Sequence, residues 1–261
     1  MSESPPKSKQ MPVCWAATTG GCGQTISREH VVSKSLFDSP GVTVHGFHWC
    51  KNEPISVGIE SLTAKILCRE HNSALSPLDS AAGSAFDAFR QNAKRNGEVH
   101  KRSILTMMKE EPFIIDAKFL ERWLLKTLLN LTFQREYFIG ASGTEKGIPP
   151  RDLVEICYGR QPFPGDAGMY VAANTGMMIR TDETLTFCPL IRNDERVLGA
   201  FFTFQGIRIV LLLMPEGLRY PLSTIPTLDK EWSSANLLRR FEEIRIQYTQ
   251  YLSQAVIKFA W

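Results

Sequence analysis

No stretch of this 261-residue chain is apolar for long enough to cross a bilayer. The longest apolar run near its strand-rich part is IVLLLM, residues 209–214, against the roughly 20 residues a spanning helix needs. The chain also lacks a dominant charge. Its 30 Lys and Arg against 27 Asp and Glu leave +3, which permits an anionic partner without arguing for one. The opening MSESPPKSKQ has no apolar core of a secretion signal, and residues 1–11 read as a disordered tail. These absences predict a cytoplasmic protein with no membrane partner. Cysteine is scarce for the length, six in all, and without an export signal a disulfide framework is not expected. There is no internal repeat, and no low-complexity segment beyond the first ten residues.

What cysteine there is clusters. Cys14, Cys22, Cys50 and Cys68 share the first 71 residues with four of the five histidines, a concentration that points to metal. Cys68 and His71 have the C-x2-H spacing with which one tight turn presents two ligands to one ion. Cys14 and Cys22, with seven residues between them in a Gly-rich loop, supply a second pair. The four together predict a closed structural Zn2+ site, whose binding energy helps fold a segment with a small core. Cys50 is a rival fourth ligand that would free His71. The plainer alternative is buried free thiols and an unrelated histidine.

The organisation is α+β. Residues 12–97 form a first domain, with a short strand leading out of the Cys-rich loop at 25–27, an extended or looped insertion at 38–58 and a strand at 61–68. A helix over 76–96 follows, with Ser76 as cap, Pro77 in the first turn and Leu78, Ala82, Phe86 and Phe89 on one face. Residues 98–261 form a second α+β domain. Its clearest helix spans 116–134, with Phe119, Leu120, Trp123, Leu124, Leu128 and Leu131 at helical spacing, and a shorter helix covers 149–159. Strands follow: a hairpin turning near 174–176, then TLTFCPLI, VLGAFFTF and IRIVLLLM as an antiparallel meander. The end of the chain reads as helix. This second domain is left with a sensing, oligomerising or partner-binding role.

Glu29 and His30 sit at the end of the first strand, and neighbours in extended backbone point to opposite sides. One can bind an ion while the other meets a water. Asn72 follows the C-x2-H turn, and its amide oxygen suits Mg2+. Singly, each has an ordinary reading: a solvated acid, a hydrogen-bonded imidazole, a helix cap. The order Cys…Cys, EHVVSKSL, a strand, then LCREHN resembles the HNH endonucleases, the ββα-metal family, in their zinc-knuckle form. The resemblance covers roughly residues 12–80, with Ser33 where proline is common and His71 where a second cysteine is usual.

The resemblance implies a metal-dependent DNA endonuclease. His30 matches the general base, and Glu29 and Asn72 match the ligands of a catalytic Mg2+ or Mn2+. Cys14, Cys22, Cys68 and His71 would hold the structural Zn2+. The central asparagine that steadies the histidine-bearing loop has no clean counterpart; Thr63 and Asn52 are nearest. Cleavage would leave 5′-phosphate and 3′-hydroxyl ends. Candidate phosphate contacts are Lys34 and the basic stretch Arg90, Lys94, Arg95, Lys101 and Arg102. By analogy of layout the chain is an effector of anti-phage defence, partnered by DNA and by a second copy or a sensor or ATPase protein. The alternative is a non-catalytic zinc module that binds nucleic acid or protein.

Overall fold

The computed structural model describes residues 14–37, 41–47, 49–98, 111–173, 184–204, 207–214, 236–247 and 254–261. Strand β1 (Ile26–His30) pairs antiparallel with β4 (Thr63–Cys68), with Ile26 opposite Cys68 and His30 opposite Thr63. A register shift falls between Ser27 and Glu29. The segment between them, expected as an extended or looped insertion, contains a hairpin of β2 (Gly41–His45) and β3 (Ile55–Gly58).

Helix α1 (Arg69–Glu98) follows β4 without a break. Its start corrects the expected cap at Ser76, which lies two turns inside. The C-x2-H turn is itself the first helical turn, and Arg69 N–H donates to the Thr25 carbonyl at 2.9 Å. Pro77 therefore sits inside the helix, where it has no N–H to offer the Ser73 carbonyl. Ser76 Oγ donates to that carbonyl at 2.9 Å and restores a partner to it.

The second half begins with β5 (Phe113–Asp116) and α2 (Ala117–Thr132). Asp116 caps α2 by accepting from Phe119 N–H at 3.0 Å. Then come β6 (Phe138–Ile139), α3 (Arg151–Cys157), β7 (Gly168–Ala173), β8 (Leu185–Ile191), β9 (Arg196–Phe204) and β10 (Ile207–Leu212). The meander β8–β9–β10 forms as the alternating pattern predicts. The turn expected at 174–176 lies outside the described residues. Beyond β10 the helical expectation is corrected. β11 (Asn236–Arg239), β12 (Glu243–Gln247) and β13 (Gln254–Ala260) are strands. Within β13, Ile257 and Phe259 are buried while Lys258 and Ala260 are exposed, a period of two that a helix cannot satisfy. β13 pairs antiparallel with β12 and parallel with β5.

The large sheet runs β11-β7-β10-β9-β8-β2-β3, with β6 also on β9. The β2–β3 hairpin of the first segment thus extends, through β2–β8, a sheet built mainly by the second. The two helices join the same core. Phe86 of α1 stacks edge-on against Trp123 of α2 at 5.4 Å and against Phe204 of β9 at 4.7 Å. Such pairs add about 0.5–1.5 kcal/mol each beyond the area they bury. Among the described residues no helix is long and apolar enough to cross a membrane.

Candidate metal centre and the His30 site

The loop before β1 is short and tightly folded. A 3-10 turn (Ala17–Thr19) leads to Gly20 and Gly21, whose φ values of +77° and +71° belong to the left-handed region. This reversal carries Cys22 back toward Cys14. The Trp15 N–H bonds to the Ile66 carbonyl at 3.0 Å, tying the loop to β4. The seven-residue spacing that is unusual in sequence is therefore geometrically compact.

The result is a cluster of Cys14, Cys22, Cys68 and His71 whose ligand atoms all lie within 4.8 Å of one another. The three sulfurs stand 3.4, 3.5 and 3.2 Å from His71 Nδ1. One imidazole lone pair cannot accept from three thiols at once. A tetrahedral Zn2+ with bonds of about 2.3 Å to sulfur and about 2.0–2.1 Å to nitrogen sets the sulfur–nitrogen edge at about 3.5 Å, which is the spacing found. His71 N–H also points to Cys68 Sγ at 3.5 Å. Burial pushes the Cys14 thiol up to about 12 and raises Cys22, while it lowers the His71 imidazole against a backbone hydrogen bond to Gly20. The protein alone does not favour thiolates here; a bound cation would. These four residues can hold a metal such as zinc. Cys50 is buried elsewhere and is not part of the cluster. Tyr158, just past α3, closes the site: its hydroxyl donates to the His71 carbonyl at 3.0 Å and its ring lies edge-on to the imidazole at 5.7 Å.

Pinning β1 to β4 and α1 places Glu29 and His30 at the end of β1, with different surroundings. Glu29 is buried, and its Oε1 lies 2.6 Å from Lys126 Nζ of α2. Lys126, 1% exposed, also binds both oxygens of Asp79 at 2.8 and 2.7 Å. Asp79 further accepts from Ser33 Oγ, which itself accepts from Trp123 Nε1 at 2.7 Å. Ser33 thus links Trp123 to Asp79. Burial raises the Glu29 carboxyl and the Lys126 charge opposes that rise. Burial also works against the Lys126 cation, but Glu29 and Asp79 together overcome it and keep Lys126 charged.

His30 faces the other way, toward Glu60, with Nε2 3.5 Å from its carboxylate and the side chain 28% exposed. That nitrogen has no hydrogen-bond partner. Asn72 Nδ2 donates to Ser27 Oγ at 3.1 Å. The structure therefore brings the four metal ligands together, but Glu29, His30 and Asn72 are not hydrogen bonded to one another. A divalent ion on Glu29 would have to share its carboxylate with an ammonium, so the residues as placed do not fit a Mg2+ or Mn2+ ion there.

The proposed phosphate contacts divide. Arg90 is corrected: it is 5% exposed, and its guanidinium donates to the Leu36 carbonyl beside the Asp87 carboxylate. Lys34 is exposed and paired with Glu60. Lys94 and Arg95 lie in α1, where only the backbone is described, and Lys101 and Arg102 fall outside the described residues.

Two residues escaped the sequence reading. Lys126 and Asn130 are one helical turn apart on α2. Asn130 Nδ2 donates to the His30 and Val31 carbonyls at 3.5 and 3.3 Å, and its Oδ1 accepts from Trp15 Nε1 at 2.9 Å. The available signal was the stripe Trp123, Lys126 and Asn130, polar groups at core spacing. Thr63 is only the cross-strand neighbour of His30, with its hydroxyl on the Glu60 carbonyl, and Asn52 is exposed. Comparison with family models, with curated proteins and with solved structures finds no match for this chain.

Proposed function

We propose that this chain is a nuclease that hydrolyses phosphodiester bonds of DNA, with His30 as general base. One observation carries the reading: a cluster of three cysteines and a histidine locks a strand–strand–helix unit around the strand that ends in Glu29-His30, where the His30 side chain is partly exposed and its Nε2 faces the Glu60 carboxylate at 3.5 Å. A neutral imidazole can take a proton from water as general base. The water oxygen then bonds to phosphorus as the bond to the 3′ oxygen breaks. The leaving oxygen is protonated from solvent, giving a 5′-phosphate and a 3′-hydroxyl. Asn130, holding the His30 and Val31 carbonyls, stands in for the loop-steadying asparagine that the HNH resemblance calls for. The Zn2+ is structural on this reading. Mg2+ or Mn2+ at Glu29 and Asn72 enters only if Lys126 yields Glu29, so no step is drawn through it.

A specific observation favours a second reading, a non-catalytic zinc module that binds nucleic acid or a protein partner. Glu29 is committed to Lys126, and the Asn72 amide nitrogen to Ser27. Incubating supercoiled plasmid with the zinc-loaded protein, with added Mg2+, Mn2+ or neither, separates the two. Nicking by the wild type and none by a folded His30→Ala supports the nuclease. Equal inactivity of both in every metal condition leaves the module. On the nuclease reading an effector role in defence, with a second copy or a sensor protein as partner, is what the remaining sheet would serve.

A further inference from the structure

A cavity of about 560 Å3 lies next to His30. Val31, which follows His30, and Thr63, its cross-strand neighbour, both line it. Two features of its wall point to one kind of occupant. The first is aromatic. Trp49 is 40% exposed and stacks on buried Phe47, with centroids 5.5 Å apart and planes inclined by 29°. Phe47 fixes the indole, so a flat face is held ready at the cavity at little further cost in side-chain entropy. The second is charge. Lys65 on β4 and Arg135 beyond α2 line the same cavity, both exposed, and no Asp or Glu lines it. Neither cation takes part in an ion pair among the described residues, whereas nearby Lys34 is neutralised by Glu60. A rigid stacking face with two cations and no acid is complementary to a flat ring carrying a negative charge, and the volume falls in the range of small-ligand sites.

We propose that this cavity holds an unpaired nucleotide of a nucleic-acid strand, its base on Trp49 and its flanking phosphates on Lys65 and Arg135. Bases inside a duplex are already stacked on their neighbours and cannot offer a face to the indole. The preferred substrate is then a single strand, or a site where a base has left the stack. The purpose of the grip, presenting the adjoining phosphate to His30, rests on the nuclease reading; the binding does not.

The test is fluorescence anisotropy of the full-length, zinc-loaded protein with labelled ten-residue oligothymidylate, oligouridylate and a blunt two-strand duplex of equal length without unpaired bases. The single strands are expected to bind at least about ten-fold tighter than the duplex, the two arms separating DNA from RNA. Trp49→Ala should weaken single-strand binding about 5- to 150-fold, the range for loss of one stacked base, and Trp49→Phe should retain most of it. Lys65→Ala with Arg135→Ala, both surface changes, should reduce the slope of log affinity against log salt by about 1.4. Duplex binding as tight as single-strand binding overturns the inference. So does wild-type affinity in Trp49→Ala, or in the double variant, at unchanged zinc content. Plasmid nicking without this binding pattern would sink the inference and leave the nuclease standing; the pattern without nicking in any condition would do the reverse.

Discussion

Replacing Lys126 by methionine isolates the buried charge network that ties α2 to β1 and α1. The substitution keeps the aliphatic length and removes only the ammonium. Lys126 is 1% exposed and Glu29 5%, so little water can reach the carboxylate left behind. Breaking such a pair from one side costs about 3–5 kcal/mol, which for a chain of this size lowers Tm on the order of 10 °C. The pH dependence has a definite sign. Burial already raises Glu29 above its reference of 4.5, held back by the charge and hydrogen bond of Lys126. A raised carboxyl means the folded state holds its proton more tightly than the unfolded state. Its contribution to stability is full below the unfolded value and is lost as pH climbs through the folded one. Without Lys126 that folded value rises further, so the deficit of Lys126→Met against wild type should be smaller at pH 5 than at pH 8. Referring each measurement to wild type at the same pH cancels the titration common to both. Glu29→Gln combined with Lys126→Met should recover part of the loss, since the fully buried carboxylate is then gone and only Asp79, 28% exposed, still loses its cation. Thermal unfolding of the zinc-loaded proteins, followed by circular dichroism at both pH values, measures all of this. A Lys126→Met loss below about 1 kcal/mol, equal at pH 5 and 8, would refute the network as described.

Other outcomes follow from the same geometry. Purified protein should carry one equivalent of zinc by elemental analysis. Cys68→Ser or prolonged chelation should loosen the β1–β4 pair and the start of α1 that the site pins together, because structural zinc binding is worth about 10–16 kcal/mol of apparent free energy; full helix and strand content with unchanged Tm after zinc loss would contradict the assignment. Asn130→Ala should destabilise by about 1–3 kcal/mol by stranding Trp15 Nε1 and the His30 and Val31 carbonyls, and should reduce any nicking more than that loss explains, read as kcat at a temperature where both proteins are folded. His30→Ala should abolish nicking while leaving zinc content unchanged, and retained cleavage would remove His30 as the base.

Much of this was legible along the chain because it depends on local spacing. Cys68-x2-His71 places two ligands in one turn whatever else the protein does, and it did so by becoming the first turn of α1. The alternation in 185–212 specified the meander, and the apolar stripe in 116–134 specified α2. The chain end misled because its apolar residues admit either period over a short window; pairing of β13 with β5, some 140 positions away in sequence, selected the strand. Arg90 misled for a related reason. A cation near a helix end is usually solvated, but here α1 continues past it and the Leu36 loop covers it.

Sequence by itself therefore determined which residues could bind a metal, and that an acid and an imidazole stand at a strand's end. Tertiary structure alone decided what those two side chains meet. Glu29 was assigned by resemblance to a metal ion, yet it faces an ammonium delivered by a helix nearly one hundred residues downstream, while His30 has its backbone held from that same helix. Charge partners across a fold are set by how helices pack against a sheet, and no periodicity within either segment encodes that meeting.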